Sequence, residues 1–259
     1  NAYLLHSYLR IALDHKYPGM ACIPEKKNSL PNGRCLIVLV CLLCCIPFQA
    51  FSRILHFPGH AATIQETVEL AADGDTIVVH EGRHFENIII REKAITLASE
   101  FILDGDSGHI RRTIIDGSRW TDSLRRSTIS LIDCVDTITV VRGLTITGGS
   151  GSQIFAGPAE HWCGGGLIMH ESSGKVVDNI VEDNHLQYRY RVNAGGGIMA
   201  ASSEGNYIVI RNNLIRNNSV ETAMEATAGG LCAVVGKKGH LIAEKNRVLN
   251  NGVFCKGPH

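Results

Sequence analysis

From Asp75 onward the apolar residues come in short, β-branched runs: Thr76-Ile77-Val78-Val79, Ile88-Ile89-Ile90, Ile95-Thr96-Leu97, Thr113-Ile114-Ile115, Thr128-Ile129-Ser130-Leu131, Ile138-Thr139-Val140 and Leu144-Thr145-Ile146. Gly, Asp, Asn and Ser bound these runs, and several alternate one residue in and one out, which is the pattern of strands between sharp corners. In the last third the pattern becomes a repeat. Gly164-Gly165-Gly166-Leu167-Ile168 leads to Val181-Glu182-Asp183-Asn184, Gly195-Gly196-Gly197-Ile198-Met199 to Ile215-Arg216-Asn217-Asn218, and Gly229-Gly230-Leu231 to Val248-Leu249-Asn250-Asn251, with the units starting 31 and 34 residues apart. A unit of two short strands cannot bury its own apolar face, so successive units must stack as a solenoid. Residues 62–74 read differently: Thr63 and Glu66 form a capping box, Ile64, Val68 and Ala71 share a helical face, and Gly74 suits the position after the last turn. The expected fold is all-β, a right-handed parallel β-helix of about seven turns, with a short N-terminal capping helix over its open end.

Two residue types mark the corners. Asn179, Asn184, Asn212, Asn213, Asn217, Asn218, Asn246, Asn250 and Asn251 recur there; Asn tolerates the left-handed conformation and can hydrogen-bond along a stack, so a structural asparagine ladder is expected. The glycine triplets precede strands rather than a helix, and no Lys-Ser or Lys-Thr follows, which excludes a phosphate loop. They let the chain re-enter the coil from a loop without steric cost. Insertions at 118–127, 149–163, 185–194 and 219–228 all fall just before the strand that opens a unit. Insertions at one phase of a solenoid project from one side, so these four are expected to build one composite surface.

The one strongly apolar segment is Cys35-Leu36-Ile37-Val38-Leu39-Val40-Cys41-Leu42-Leu43-Cys44-Cys45-Ile46, preceded by Lys26, Lys27 and Arg34 and followed by Ala50-Phe51-Ser52. That layout predicts a secretory signal, too short to span a bilayer comfortably, with a signal-anchor or a lipoprotein signal at Cys44 or Cys45 as the rival reading. The expected organisation is therefore a non-structural extension at 1–33, a signal peptide at 34–52 and a β-helix at 53–259 truncated at its C-terminus, in a secreted or cell-surface protein. Cys134, Cys163, Cys232 and Cys255 follow the signal without pairing or metal-ligand spacing and are expected to be single buried thiols. His80, His84, His109, His170 and His240 are dispersed, none at metal-ligand spacing to a partner. Lys plus Arg and Asp plus Glu stand at 25 each, so no global field draws the chain to nucleic acid or to a membrane beyond the signal segment. The oligomeric state stays open.

Ala62-Thr63-Ile64-Gln65, Gly74-Asp75-Thr76-Ile77-Val78-Val79, Thr113-Ile114-Ile115-Asp116-Gly117 and Gly143-Leu144-Thr145-Ile146-Thr147-Gly148-Gly149 resemble the opening turns of secreted right-handed parallel β-helix proteins of the pectate-lyase-like superfamily. The later Gly-Gly-Gly-Ile and Ile-x-x-Asn repeats are similar to those of that superfamily and of polymorphic outer-membrane autotransporter passengers. The resemblance covers residues 61–254 and speaks to fold far more than to activity, because many functions use this scaffold.

The insertions carry the candidate chemistry. Trp120, Trp162, Tyr188 and Tyr190 offer faces to sugar rings, and Arg189 and Arg191 can pair with carboxylate or sulfate, so the expected partner is a polysaccharide or cell-surface glycan. For a polysaccharide lyase, which the resemblance raises, His161, Arg189 and Arg191 would serve as base and charge stabilisers; Glu160, Glu221 or Glu225 would ligate calcium or act in glycoside hydrolysis as a carboxylate pair. None lies in a matched catalytic motif, so binding without catalysis leads, a lyase or hydrolase on the same face is second, and a surface adhesin or passenger stalk is third. Asp104-Gly105-Asp106-Ser107-Gly108 resembles half of a calcium loop but lacks the third carboxylate and the distal Glu, so a solvated turn is expected. The sequence fixes no cofactor, and Ca2+ is the one that it suggests.

Overall fold

The computed structural model describes residues 52–134, 139–156, 159–187, 192–202, 205–222 and 225–255, all within one compact unit spanning 50–259. The expected extension and nearly all of the signal segment fall outside the described residues, as do Tyr188, Arg189, Tyr190 and Arg191.

The short β-branched runs pair with the equivalent runs one circuit further on, and the result is a parallel β-solenoid. In the first circuit Thr76–Val79, Gly82–Phe85 and Ile88–Arg91 belong to three different sheets. The second circuit lays Thr96–Ser99, Thr113–Asp116 and Ile129–Ile132 against the same sheets. The register places Ile77 beside Leu97, His84 beside Ile115 and Ile90 beside Leu131. Strands starting at Thr139, Gly174 and Tyr207 open the third to fifth circuits. The first sheet does contain seven strands, but Ile54–Phe57 precedes the first full circuit and His240–Glu244 opens an incomplete sixth. Five complete circuits therefore replace the seven expected from strand counting.

Alternation along each strand sends one side chain inward per step. Ile77, Ile90, Leu97, Ile115, Leu131 and Ile146 are fully buried and form one continuous core. Each is worth about 2 kcal/mol of burial, and the next circuit supplies the surface that buries it. At the far end Leu241, Val248 and Phe254 stay exposed.

Helix α1 (Ile64–Leu70) closes the near end of this core with Ile64, Val68 and Ala71. The capping box is formed: Glu66 N–H donates to Thr63 Oγ1 at 3.0 Å and Thr63 N–H to Glu66 Oε2 at 3.2 Å. Both helix ends are also held from the solenoid. Glu86 accepts from Ile64 N–H and Gln65 N–H at 3.0 and 3.1 Å, while Lys93 Nζ donates to the carbonyls of Val68, Glu69 and Ala71 at 2.7, 2.8 and 2.8 Å. A carboxylate at the N-terminus and an ammonium at the C-terminus match the helix dipole.

Asp75 fastens the segment before α1 to the segment after it. Its carboxylate accepts from Arg53 N–H, Arg53 Nη2 and Ala72 N–H at 2.8, 2.6 and 2.9 Å, and the Arg53 hydrogen bond holds its pKa at about 2, below the ordinary 3.8. A depressed carboxylate pKa contributes stability that is fully present above 3.8 and is lost as pH falls through about 2. The size is about 2 kcal/mol. Urea unfolding at pH 5 and at pH 2 should show this loss in the wild type and not in Asp75→Asn, which should be less stable at pH 5.

The corners of the later circuits follow a two-residue rule. Asp178, Asp183, Asn212, Asn217, Lys245 and Asn250 take positive φ of 60, 54, 57, 55, 56 and 53°, and each is followed by an Asn turned along the stack. One column runs Asn179, Asn213, Asn246 with amide contacts of 3.1 and 3.0 Å; the other runs Asn184, Asn218, Asn251 at 2.9 and 2.9 Å. The ladder expected from sequence is present. Its left-handed and laddered positions are different residues.

The second circuit carries an insertion that the pattern did not anticipate. Helices α2 (Phe101–Asp104) and α3 (Gly108–Arg112) lie between its first and second strands, where a solvated turn was expected.

Candidate functional site

The four insertions leave the solenoid between its second and third sheets and pair with one another. Arg125–Arg126 runs antiparallel to Gly151–Ala156, which forms a hairpin with Ala159–Cys163; Val192–Ala194 and Ala226–Thr227 then add in parallel, giving a five-stranded lateral sheet. Beside it, His185–Gln187, Ser219–Thr222 and Gly252–Cys255 form a three-stranded sheet.

Alternation decides what this lateral structure shows to solvent. Ile154, Cys163 and Ala194 cluster with Ile168 and Met199 of the third sheet. Burial pushes the Cys163 thiol up to about 12, so it stays protonated and is no nucleophile at neutral pH. Among the described residues the four cysteines are free; Cys134 and Cys163 are buried as expected, but Cys232 is half-buried and Cys255 exposed. On the opposite row, Trp162 packs with Leu186, Val220 and Ala226 and is 3% exposed. Trp162 is therefore the core of the lateral structure, and its ring is closed to a sugar.

Trp120 behaves differently. It follows the 3-10 turn Gly117–Arg119 and is 41% exposed. The Arg126 guanidinium carbon lies 5.2 Å from the Trp120 ring centroid and 4.6 Å from that of Trp162, bridging the exposed ring to the buried one. Nearby, the Arg119 guanidinium carbon lies 3.7 Å over Phe85, a ring 38% exposed at the end of Gly82–Phe85. Phe85 lies outside the insertions, in the strand Gly82–Phe85, and Arg119, although next to Trp120 in the first insertion, has no sequence signal that pairs it with Phe85. What joins them is Phe85's register with Asp116, which sets it beside the first insertion.

The other named residues are more dispersed. Glu160 and His161 are half-buried on the hairpin. Glu221 accepts from Gln187 Nε2 at 3.0 Å and lies 4.0 Å from His185 Nε2, while His185 Nδ1 is 2.6 Å from Ser219 Oγ. Glu225 is exposed. Asp104 and Asp106 belong to α2–α3, which leaves the coil at a different corner from the lateral sheet. Their Oδ1 atoms accept from Asp106 N–H and Gly108 N–H at 2.8 and 2.8 Å, and their Oδ2 atoms face His109 and Arg112 at 3.1 and 3.3 Å. Alternate carboxylates facing one calcium ion are thus replaced by turn hydrogen bonds and ion pairs.

That corner holds a constellation missed from sequence. Val79 and Ser99 are register partners, so His80 and Glu81 sit beside Glu100. His109 descends from α3 between the two glutamates, its Nδ1 being 2.6 Å from Glu81 Oε1 and 3.8 Å from Glu100 Oε2. His80 Nδ1 lies 3.0 Å from Glu100 Oε1, and its Nε2 is 3.2 Å from His56 Nδ1. Arg112 Nε donates to Glu81 Oε1 at 2.6 Å. Electrostatics follow the geometry: the Arg112 hydrogen bond lowers the Glu81 pKa, and for His109 burial opposes the charged form but the Asp104 and Glu81 carboxylates outweigh it and raise its pKa. Local spacing could not reveal this set, whose members come from neighbouring circuits and an insertion.

Comparison of the chain with protein-family models, with curated proteins and with solved structures finds no match in any of the three.

Proposed function

We propose that the protein is an exported β-solenoid of the pectate-lyase-like type that binds an extracellular or cell-surface polysaccharide along its lateral sheet. The observation that carries this reading is the stacking of four successive insertions into one five-stranded sheet, with the exposed rings of Trp120 and Phe85 at its first edge. A surface that repeats along the coil axis suits a linear polymer, and an aromatic ring backed by guanidinium suits a sugar ring that bears a carboxylate. Binding is preferred over lyase or hydrolase chemistry because Glu221 is engaged by Gln187 and Glu160 and His161 are only partly accessible.

The test is titration of the full chain with polyuronates and neutral glycans, with and without calcium, following both affinity and unsaturated or reducing-end products. Trp120→Ala and Phe85→Ala should each weaken binding about tenfold without changing the melting temperature much, since loss of one ring stack is worth about 1.4 kcal/mol. Trp162→Ala should lower the melting temperature. Product formation would transfer the reading to an enzyme, and absence of binding to every glycan would transfer it to a surface stalk.

A further inference from the structure

We propose that Glu81, Glu100 and His109 form a binding site for a divalent first-row transition ion of the zinc type, which fastens the α2–α3 insertion to the first circuit. This inference stands apart from the glycan reading and concerns a different corner of the solenoid.

Three observations converge on it. One ligand atom from each residue lies within 4.8 Å of the others. Donor atoms around four-coordinate zinc are about 3.3 Å apart, and the His109 Nδ1 distances of 2.6 Å to Glu81 and 3.8 Å to Glu100 bracket that value. Small side-chain rotations bring the three into a coordination triangle. Second, His109 Nδ1 is shielded from solvent and faces Glu81 Oε1 at 2.6 Å, with the oxygen off the N–H direction of the ring. An ion pair approached in that way also suits two ligands of a common cation. Third, each of the three groups has a further partner that positions it. His109 Nε2 lies 3.1 Å from Asp104 Oδ2, Arg112 Nε donates at 2.6 Å to Glu81 Oε1, the same oxygen that faces His109, and His80 Nδ1 lies 3.0 Å from Glu100 Oε1. A carboxylate behind the distal nitrogen of an imidazole fixes the tautomer that presents the other nitrogen as a lone pair, the usual support of a metal-ligating histidine.

The donor set selects the ion. Calcium and magnesium prefer all-oxygen surroundings, whereas one imidazole with two carboxylates suits zinc and its first-row neighbours. Glu81 is the most exposed of the three, with 36% of its side chain accessible, so water can complete the coordination from that side. The consequence for the fold is a cross-link between residues separated by one circuit and one insertion, at a place where the short α2 and α3 contribute no buried residue of their own.

The experiment is titration of the full chain with Zn2+ after alkylation of its thiols, because the chain has 9 cysteines whose thiolates would otherwise compete. One equivalent should bind and raise the melting temperature, and Co2+ in its place should give a d–d spectrum without a thiolate charge-transfer band. Glu81→Gln, Glu100→Gln and His109→Gln should each weaken binding by at least about tenfold, Asp104→Asn by about tenfold, and His240→Gln not at all. Should His109→Gln fail to fold, the near-isosteric Glu100→Gln and Asp104→Asn carry the test. Equal zinc affinity in the wild type and in the Glu81→Gln/Glu100→Gln pair, or no binding by the thiol-blocked wild type, would overturn the proposal.

Discussion

Gly196→Ala is expected to destabilise the protein by at least about 3 kcal/mol, enough to send much of it to the insoluble fraction. The Cβ added there would collide with the Gly229 carbonyl oxygen and lie 2.7 Å from that of Ser219, against about 3.3 Å for the closest ordinary carbon–oxygen contact. Both obstacles are backbone, so no side-chain rotation relieves them. Gly149, Gly165, Gly196 and Gly229 form a column in which a Cβ on each would strike the backbone carbonyl of the next, ending on Gly252. Moving one member therefore moves the stack. Gly205→Ala is the contrast: its φ is +75° but nothing lies within 4 Å of the added carbon, so only the left-handed strain of about 1–2 kcal/mol should appear. Urea midpoints for the two variants would separate close crossing from backbone conformation, and equal midpoints would remove the steric argument.

The glycine triplets show how far the sequence could be read. Their position before strands is correct, and their role at re-entry is half correct: Gly164 and Gly195 turn the chain with φ of 62 and 67°. The second glycine of each triplet does something that one strand's sequence cannot disclose, which is to make room for the adjacent circuit. The same limit explains the rest. Repeat phase is a property of the chain, so the solenoid, the asparagine columns and the common exit corner of the insertions were all legible. Which face of an inserted strand turns inward depends on neighbours, and so Trp162 read as a sugar platform when it is the core of the lateral structure. Helices α2 and α3 are too short for a periodic signal.

The histidine–carboxylate corner was missed for a related reason. Metal-ligand spacing in a sequence is the spacing of residues within one helix or loop, but a solenoid brings position i beside the position one circuit away. Between the first strands of the first two circuits that distance is 20 residues, from Val79 to Ser99, not the 31 to 34 of the later repeat. Once the early period is known, His80, Glu81 and Glu100 fall together on paper. His109 does not, because only the path of the insertion brings it back.

Asn218→Ala should cost about 3 kcal/mol and Asn251→Ala about 1 kcal/mol, although both replace a ladder asparagine by the same residue. Asn218 is fully buried. Its Nδ2 donates to Val181 O and Asn251 Oδ1, both at 2.9 Å, and its Oδ1 accepts from Asn184 N–H and Nδ2 at 3.2 and 2.9 Å. Removing the amide strands groups on the circuit before and on the circuit after, and each buried orphan costs about 1–3 kcal/mol. Asn251 is only half-buried; its Nδ2 donates to Ile215 O at 3.0 Å and its Oδ1 accepts from Asn218 N–H and Nδ2, both at 2.9 Å, but solvent reaches this corner, so water can replace part of what is lost. Asn218→Asp should be worse than Asn218→Ala, because a carboxylate cannot donate to Val181 O and would face Asn251 Oδ1 from inside the corner. Urea unfolding of the three variants would test the order, and equal costs at Asn218 and Asn251 would mean that each rung acts alone. The order expected follows from geometry: in a solenoid an interior corner is shared by two interfaces and a terminal one by a single interface, so position along the stack sets what the same amide contributes.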